Sequence, residues 1–356
     1  MLKKLLINVF NPLSSDVFVF LEEREPVESK SRADWLARHK MMLRWKNVLE
    51  QLGSEIGFSI LPDIIYDPPV RNNAPVTKCV LSDGRKDTIV NALKKATVFI
   101  AFSKMSISST LILACNKIKT LRGASMPGVI KDMERTALAA DYANIQQKCK
   151  KISKLMDSAQ IAEILFSTGH SCRFDLRFRK VLIDDGYCGI EKIKNDYGHL
   201  INLPSGEVCQ STYEGERKGF VSQTCGNIPI IINNKIAVLT IDKNRIVDVA
   251  GEPDSTDYFL REPGRCNIAE FAIGVNDKAK IRGIILEDEK AGFHFAYGRS
   301  DHLGGIWNSS KFKDRGNICH TDVVYAKGCP IHVESGFFVD VNGFRTQIYK
   351  KGELVL

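Results

Sequence analysis

The sequence predicts an α/β N-terminal domain over residues 1–157 followed by a β-rich α+β C-terminal catalytic domain over residues 158–356. Three observations carry that reading. A chain of 356 residues is long for one hydrophobic core, so two domains are the default. Ahead of residue 158, apolar strand-like runs alternate with helical patterns, which is the texture of an open, partly parallel sheet. Beyond it the chain turns to short β-rich runs punctuated by Gly and Asn.

In the first half, Leu5 to Phe10 and Thr97 to Phe102 read as strands. The start, Met1 to Phe10, has the charge pattern of a signal sequence, but its apolar run is short and no small-residue cleavage site follows. It is therefore read as a first strand, and a cytoplasmic location is expected. Trp35, Met42, Trp45 and Leu49 recur at helical spacing and predict a helix over about Arg32 to Leu52. A second, long helix is expected from about Pro127 to Met156, a stretch rich in Ala, Lys and Gln. Asp67 to Pro75 reads as an exposed loop. No Gly-x-Gly-x-x-Gly follows any strand, which argues against a dinucleotide site.

In the second half the predicted strands are Glu163 to Phe166, Arg173 to Ile183, Ile228 to Ile232, Ala237 to Ile241, Ile281 to Leu286, Phe293 to Tyr297, Asn317 to Tyr325 and Gly336 to Val341. Asn233-Asn234 and Val341-Asn342-Gly343 are turn signals between them. No internal repeat or low-complexity tract is visible.

Composition excludes several classes. With 44% apolar and 26% charged residues, the chain has the make-up of an ordinary globular protein. No run approaches the roughly 20 apolar residues that span a bilayer, so no membrane partner is expected. The ten cysteines contain no Cys-x-x-Cys pair, which disfavours a zinc ribbon and suits free, buried thiols. A net charge of +8 is moderate and lacks an aromatic-plus-basic motif, so a nucleic-acid partner is not expected.

The chemistry is expected in the second half. Glu207, Glu270, His294, His320 and Asp322 are potential metal ligands, each inside a short, ordered-looking segment. The sharpest is Asn317 to Tyr325, where β-branched and aromatic residues argue for a strand and alternation puts His320 and Asp322 on one face. Cys319 would then point to the opposite face. Glu270 interrupts an apolar run and would enter a core unless something cationic met it. Taken singly, each has a plainer reading: Glu207 as a turn residue, His294 as a hydrogen-bonded core histidine, His320 and Asp322 as a structural strand pair. Together, three carboxylates and two imidazoles in this layout make a metalloenzyme the leading reading.

Four strings in order carry a resemblance: Leu203-Pro204-Ser205-Gly206-Glu207-Val208, Asn267-Ile268-Ala269-Glu270-Phe271-Ala272-Ile273-Gly274, Glu289-Lys290-Ala291-Gly292-Phe293-His294-Phe295-Ala296-Tyr297-Gly298, and His320-Thr321-Asp322. Together with Arg122 to Gly128, the chain resembles the thermophilic-type metallo-aminopeptidase family, the aminopeptidase T and aminopeptidase S group. The resemblance implies a thermophilic metalloprotease-like fold and a homodimer. It also implies a hydrolase that releases N-terminal residues from small peptides or cleaves a related amino-acid amide. By the same resemblance Glu207, Glu270, His294, His320 and Asp322 hold two zinc, cobalt or manganese ions, and Glu270 also shuttles a proton to the metal-held water.

One departure stands out. The family places a Tyr, thought to steady the tetrahedral intermediate, seven positions beyond the residue matching His294; here that residue is Asp301. A carboxylate donates to an oxyanion only when protonated, so Arg299, His302 or Tyr297 would have to supply the donor, or the substrate differs. The fold also resembles that of 2,5-dihydroxypyridine dioxygenase, which makes a ring-cleaving enzyme with ferrous iron the alternative. That relative has His at the position of Glu270 and an apolar residue at that of His294, whereas this chain keeps the two-metal set. A third reading is a biosynthetic descendant of the aminopeptidase fold that acts on a modified peptide.

Overall fold

A computed structural model describes residues 1–193 and 198–355. The chain divides into two compact units, neither continuous in sequence. One comprises residues 1–146, 184–205 and 277–280, and the other 147–183, 206–276 and 281–356. A single cut near residue 158 was expected. The chain instead returns to the first unit because His199–Asn202 adds a parallel strand beside Arg122–Pro127.

Among the described residues, the first unit is built on an eight-stranded mixed sheet. At its centre Val17–Glu23 pairs in parallel with Val98–Ser103, which pairs in parallel with Arg122–Pro127. The far edge, Lys78–Leu81 and Lys86–Thr88, is antiparallel. Val98–Ser103 is buried along its whole length, as a strand covered on both faces must be. The helix Ser29–Ile56 packs Met42, Trp45 and Leu49 inward, as their spacing predicts.

Two expectations for this unit are corrected. Leu2–Phe10 is a helix, not a strand: Leu5, Leu6, Val9 and Phe10 are buried on one face while Lys3 and Lys4 stay exposed. A short apolar run fits either period, and burial on one helical stripe decided it. The long helix expected from Pro127 is the helix Tyr142–Ser158. The stretch before it is a buried strand and two 3₁₀ turns, Lys131–Arg135 and Ala137–Ala139. Asp141 marks the true start, accepting the backbone N–H of Ala143 at 3.1 Å. Tertiary pairing overrode a weak propensity here.

A buried ion pair ties this unit together. Arg122 donates to both carboxylate oxygens of Asp16, at 2.9 and 2.8 Å, and to the carbonyl of Cys188 at 2.8 Å. Both side chains are essentially inaccessible.

The second unit holds two sheets. An eight-stranded antiparallel sheet contains Ala159–Phe166, Ser171–Asp175, Cys225–Ile232, Lys235–Asp242 and Val333–Asp340. Asn233 and Asn234 both take positive φ between two of these strands, as a tight hairpin turn requires. The second sheet has five strands, with Leu182–Asp184 at one edge, then Glu207–Gln210, Ile268–Gly274, Phe293–Gly298 and His320–Val324. Arg173 to Ile183 is therefore two strands. Ile281 to Leu286, expected as a strand, instead leads into the short helix Ile285–Asp288, where Asp288 accepts the N–H groups of Arg282 and Gly283 at 2.8 Å each.

One face of the five-stranded sheet is aromatic. Phe271, Phe293 and Phe295 stack around Phe174, with ring centroids 5.3, 5.8 and 6.5 Å away. The opposite face carries the polar cluster described below. All ten cysteines are free, and no helix among the described residues is long and apolar enough to cross a membrane.

Candidate metal centre

Register alone brings the five predicted residues together. Glu207 pairs with Gly274, Glu270 with Ala296, Ala296 with Asp322, and Gly298 with His320, while His294 lies opposite Ala272. Antiparallel partners project to the same side of a sheet, so Glu207, Glu270, His294, His320 and Asp322 share one face across four strands. Their neighbours on that face, Gly274, Ala272, Ala296 and Gly298, are small, which leaves space among the polar groups. Gly298 also has φ +108°, and a Cβ there would lie 2.3 Å from the carbonyl oxygen of Cys319.

The geometry is tight. His320 Nε2 is 2.8 Å from Glu270 Oε2 and 3.4 Å from Asp322 Oδ1. Its other nitrogen, Nδ1, donates to the backbone carbonyl of Arg299 at 2.6 Å, which aims Nε2 at the carboxylates. An imidazole anchored in this way is oriented as metal-ligating histidines are. His294 Nε2 lies 3.6 Å from Glu207 Oε2. His294 is 1% exposed, and its Nδ1 has no hydrogen-bond partner among the described residues.

The cluster is larger than the sequence suggested. Glu289 joins Glu207 and His294 as one group able to hold a cation, and Glu270, His294 and Asp322 form another. The fully buried Lys290 sets its Nζ 2.6 Å from Glu207 Oε1 and 2.8 Å from Glu289 Oε1. Cys209, two residues beyond Glu207 on the same face, is buried, and burial first, then the neighbouring Glu270 and Glu207, pushes its thiol well up. Glu289 and Lys290 sit just before the His294 strand. Their proximity to that strand was the available signal, but a 3₁₀ turn, with no strand alternation, fixes their direction.

Electrostatics follow from burial and proximity. Burial would keep His320 neutral, but Asp322 and Glu270 outweigh it and push its pKa well above the ordinary histidine range. Burial likewise opposes ionisation of Glu270 and Asp322, yet the His320 partner draws both carboxyls below their usual values. Glu289 is pushed well up, by burial first and then by Glu207 and Asp322, against the pull of Lys290. Four carboxylates in one buried cluster demand positive charge. With a protein-only environment the demand falls on His320 and Lys290. An orphaned imidazole nitrogen, an oriented second imidazole and clustered carboxylates are a donor set that a divalent ion fits.

No protein-family model matches this sequence, and no curated protein sequence does either. Solved structures do match over the full length. The fold is AmpT-like. Wild-type AmpT from Thermus thermophilus aligns with a TM-score of 0.59 at 14% identity, covering 100% of this chain and 99% of that one. The 2,5-dihydroxypyridine dioxygenase from Pseudomonas putida KT2440 aligns with a TM-score of 0.64 at 14% identity, covering 99% of this chain and 96% of that one. Both neighbours are enzymes, and the AmpT-like fold agrees with the expected α/β first part and β-rich second part.

The remaining candidates lie at the rim of the cluster in this AmpT-like fold. Asp301 accepts two hydrogen bonds from the Arg299 guanidinium, both 2.9 Å. Burial opposes its ionisation, but His302 and Arg299 hold the Asp301 carboxyl well below the carboxylate range. His302 stacks edge-on to His320, with ring centroids 4.5 Å apart, and burial pushes its imidazole towards the neutral form. Tyr297 does not reach the site. Alternation turns it to the other face, where its hydroxyl meets that of Tyr258 at 3.1 Å. Cys319, directly before the strand His320–Val324, is half-buried and is not among the side chains grouped around His294.

Proposed function

We propose that this chain is a metal-dependent hydrolase that releases N-terminal residues from small peptides or cleaves a related amino-acid amide. The observation that supports the reading most is the shared face of Glu270, His294, His320 and Asp322, with Glu270 and His294 buried and Asp322 within reach of all three others. The fold shared with AmpT supports this reaction class by analogy.

Each residue has a task in this reading. Glu270, His294, His320 and Asp322 are the ligands, and Glu207 and Glu289 extend the acidic wall. A divalent ion bound there would polarise the scissile carbonyl and acidify a water molecule. Glu270, beside His320 in the cluster, is the carboxylate placed to accept a proton from that water. The Arg299 carbonyl holds the His320 ring in one orientation, so the ligand atom is set before substrate arrives. His302, next to His320, is the donor nearest the cluster on the rim and takes the place of the missing Tyr in steadying the developing oxyanion.

A second reading has a specific observation in its favour. His294, His320 and Asp322 supply two imidazoles and one carboxylate, a set that suits ferrous iron, and the dioxygenase shares the fold. The experiment that separates them supplies purified protein with zinc, cobalt, manganese or ferrous iron under controlled oxygen. Hydrolysis of a dipeptide or an aminoacyl amide without oxygen uptake is the expected result. Turnover with iron alone, with oxygen uptake matching product, would replace hydrolysis by ring cleavage.

A further inference from the structure

The two groups of cation-holding side chains are not independent. Glu207, Glu289 and His294 form one, Glu270, His294 and Asp322 the other, and His294 belongs to both. The first already has a positive charge in it. Lys290 is 0% exposed, and its ammonium lies 2.6 Å from Glu207 Oε1 and 2.8 Å from Glu289 Oε1. The ammonium thus sits against a carboxylate of each acidic member of that group, where a second cation would have to approach.

We propose that the Lys290 ammonium occupies the second cation position of this cluster, so that the chain holds one divalent ion, on Glu270, His294, His320 and Asp322. The proposal rests on the metal-binding reading above and changes its stoichiometry from two ions to one.

The backbone shows that the lysine is seated there by construction. The carbonyl of Lys290 accepts the N–H of Asn276 at 2.9 Å, and Gly274 N–H donates to the carbonyl of Gly292 at 2.8 Å, so the turn carrying Glu289 and Lys290 is stitched to the end of the Ile268–Gly274 strand. A Cβ at Gly274 would meet the Glu289 carbonyl oxygen at 2.3 Å and the Lys290 carbonyl carbon at 2.5 Å, so only glycine permits this approach. The 3₁₀ turn therefore delivers Lys290 against Glu207, its partner across the cluster.

Charge explains why one ion suffices. A buried carboxylate pair needs one compensating charge for each negative group it keeps ionised. Lys290 is in contact with both Glu207 and Glu289 and supplies the compensating positive charge on that side of the cluster. A divalent ion on the same group would lie close to the ammonium, and like charges so close are unfavourable in a buried site. In the second group Glu270 and Asp322 are paired with the His320 imidazole, which can give up its proton and become a ligand, so a cation position remains there.

The test is metal content by elemental analysis of the full chain loaded with Zn²⁺ or Mn²⁺ and freed of excess, with the Mn²⁺ electron paramagnetic resonance spectrum as a second readout. The expected result is one ion per chain and an isolated Mn²⁺ signal in the wild type, rising to two per chain with a spin-coupled signal in Lys290→Met. Glu289→Gln should keep its one ion, because that side chain touches the lysine and not the bound metal. Two ions in the wild type overturn the proposal, as does a single ion in a folded Lys290→Met or loss of the ion in Glu289→Gln. If Lys290→Met fails to fold, judged by circular dichroism, the wild-type stoichiometry and Glu289→Gln still decide. A wild type that binds no ion at all sinks the metal-centre reading itself, which separates that failure from this one.

Discussion

His320 is held from both sides: its Nδ1 donates to the Arg299 carbonyl at 2.6 Å while its Nε2 stands 2.8 Å from Glu270. The ring therefore has one orientation available, and that orientation aims a nitrogen at the Glu270–Asp322 side of the cluster. Replacing His320 or Asp322 with Ala should lower bound metal about ten-fold or more and abolish activity, because a ligand is lost. The first unit, with none of these residues, should stay folded. Full metal content in both variants, measured after dialysis, would remove the site assignment.

The space between Glu270 and Asp322 is kept open by Ala296, which pairs with both of them across the sheet. Ala296→Leu should fill it. A larger side chain at a fully buried position costs about 1–3 kcal/mol of stability, and here it also separates the two carboxylates. Metal binding should fall more than stability does, and comparing the unfolding midpoint with metal content distinguishes a blocked site from a broken fold. Unchanged metal affinity would show that the ion sits elsewhere on the face.

Asp301 stands where the resembling family has a Tyr, and its carboxylate is clamped by Arg299 beside His302. Asp301→Tyr should raise hydrolysis of simple aminoacyl substrates, since a single oxyanion donor contributes about 2.7–4 kcal/mol. If the clamp serves instead to bind an amine-bearing substrate, the same change should weaken that substrate and leave simple ones poorly used. Identical kinetics on every substrate would put Asp301 outside the site.

Acid should weaken the first unit through Asp16. Burial opposes its ionisation, but Arg122 and the Leu13 N–H overcome that and hold its pKa below the ordinary value. A carboxylate whose folded value is depressed stabilises the fold fully above its unfolded value of 3.8 and loses that contribution as pH falls through the folded value. Thermal stability should therefore decline below about pH 4, and Asp16→Asn should be less stable at neutrality yet flatter in acid. Arg122→Ala, which strands a buried carboxylate, should cost about 3–5 kcal/mol. A neutral-pH midpoint unaffected by either change would show that the pair is dispensable.

Much of the second unit was legible because strands announce themselves by alternation. In Phe293 to Gly298 and His320 to Asp322, period two alone assigns His294, His320 and Asp322 to a face, and the same rule sends Cys319 and Tyr297 away. Where local pattern and tertiary environment compete, the pattern misled. Leu2–Phe10 has an apolar run that fits helix or strand, and Ile281 to Leu286 has β-branched residues that the Asp288 contacts turn into a helix entry.

By itself the sequence determined which side chains share a face within each strand, the change from α/β to β-rich texture, and a ligand set rich in carboxylates and imidazoles. Only the tertiary structure decided what those faces meet. Registers between Glu207–Gln210, Ile268–Gly274, Phe293–Gly298 and His320–Val324 are set by pairings between residues as far apart in the chain as Glu207 and Gly274, and the delivery of Lys290 to Glu207 depends on a 3₁₀ turn docking on Gly274. The physical reason is range: alternation is a property of one strand, whereas the charge balance of a buried cluster is set by every chain segment that reaches it.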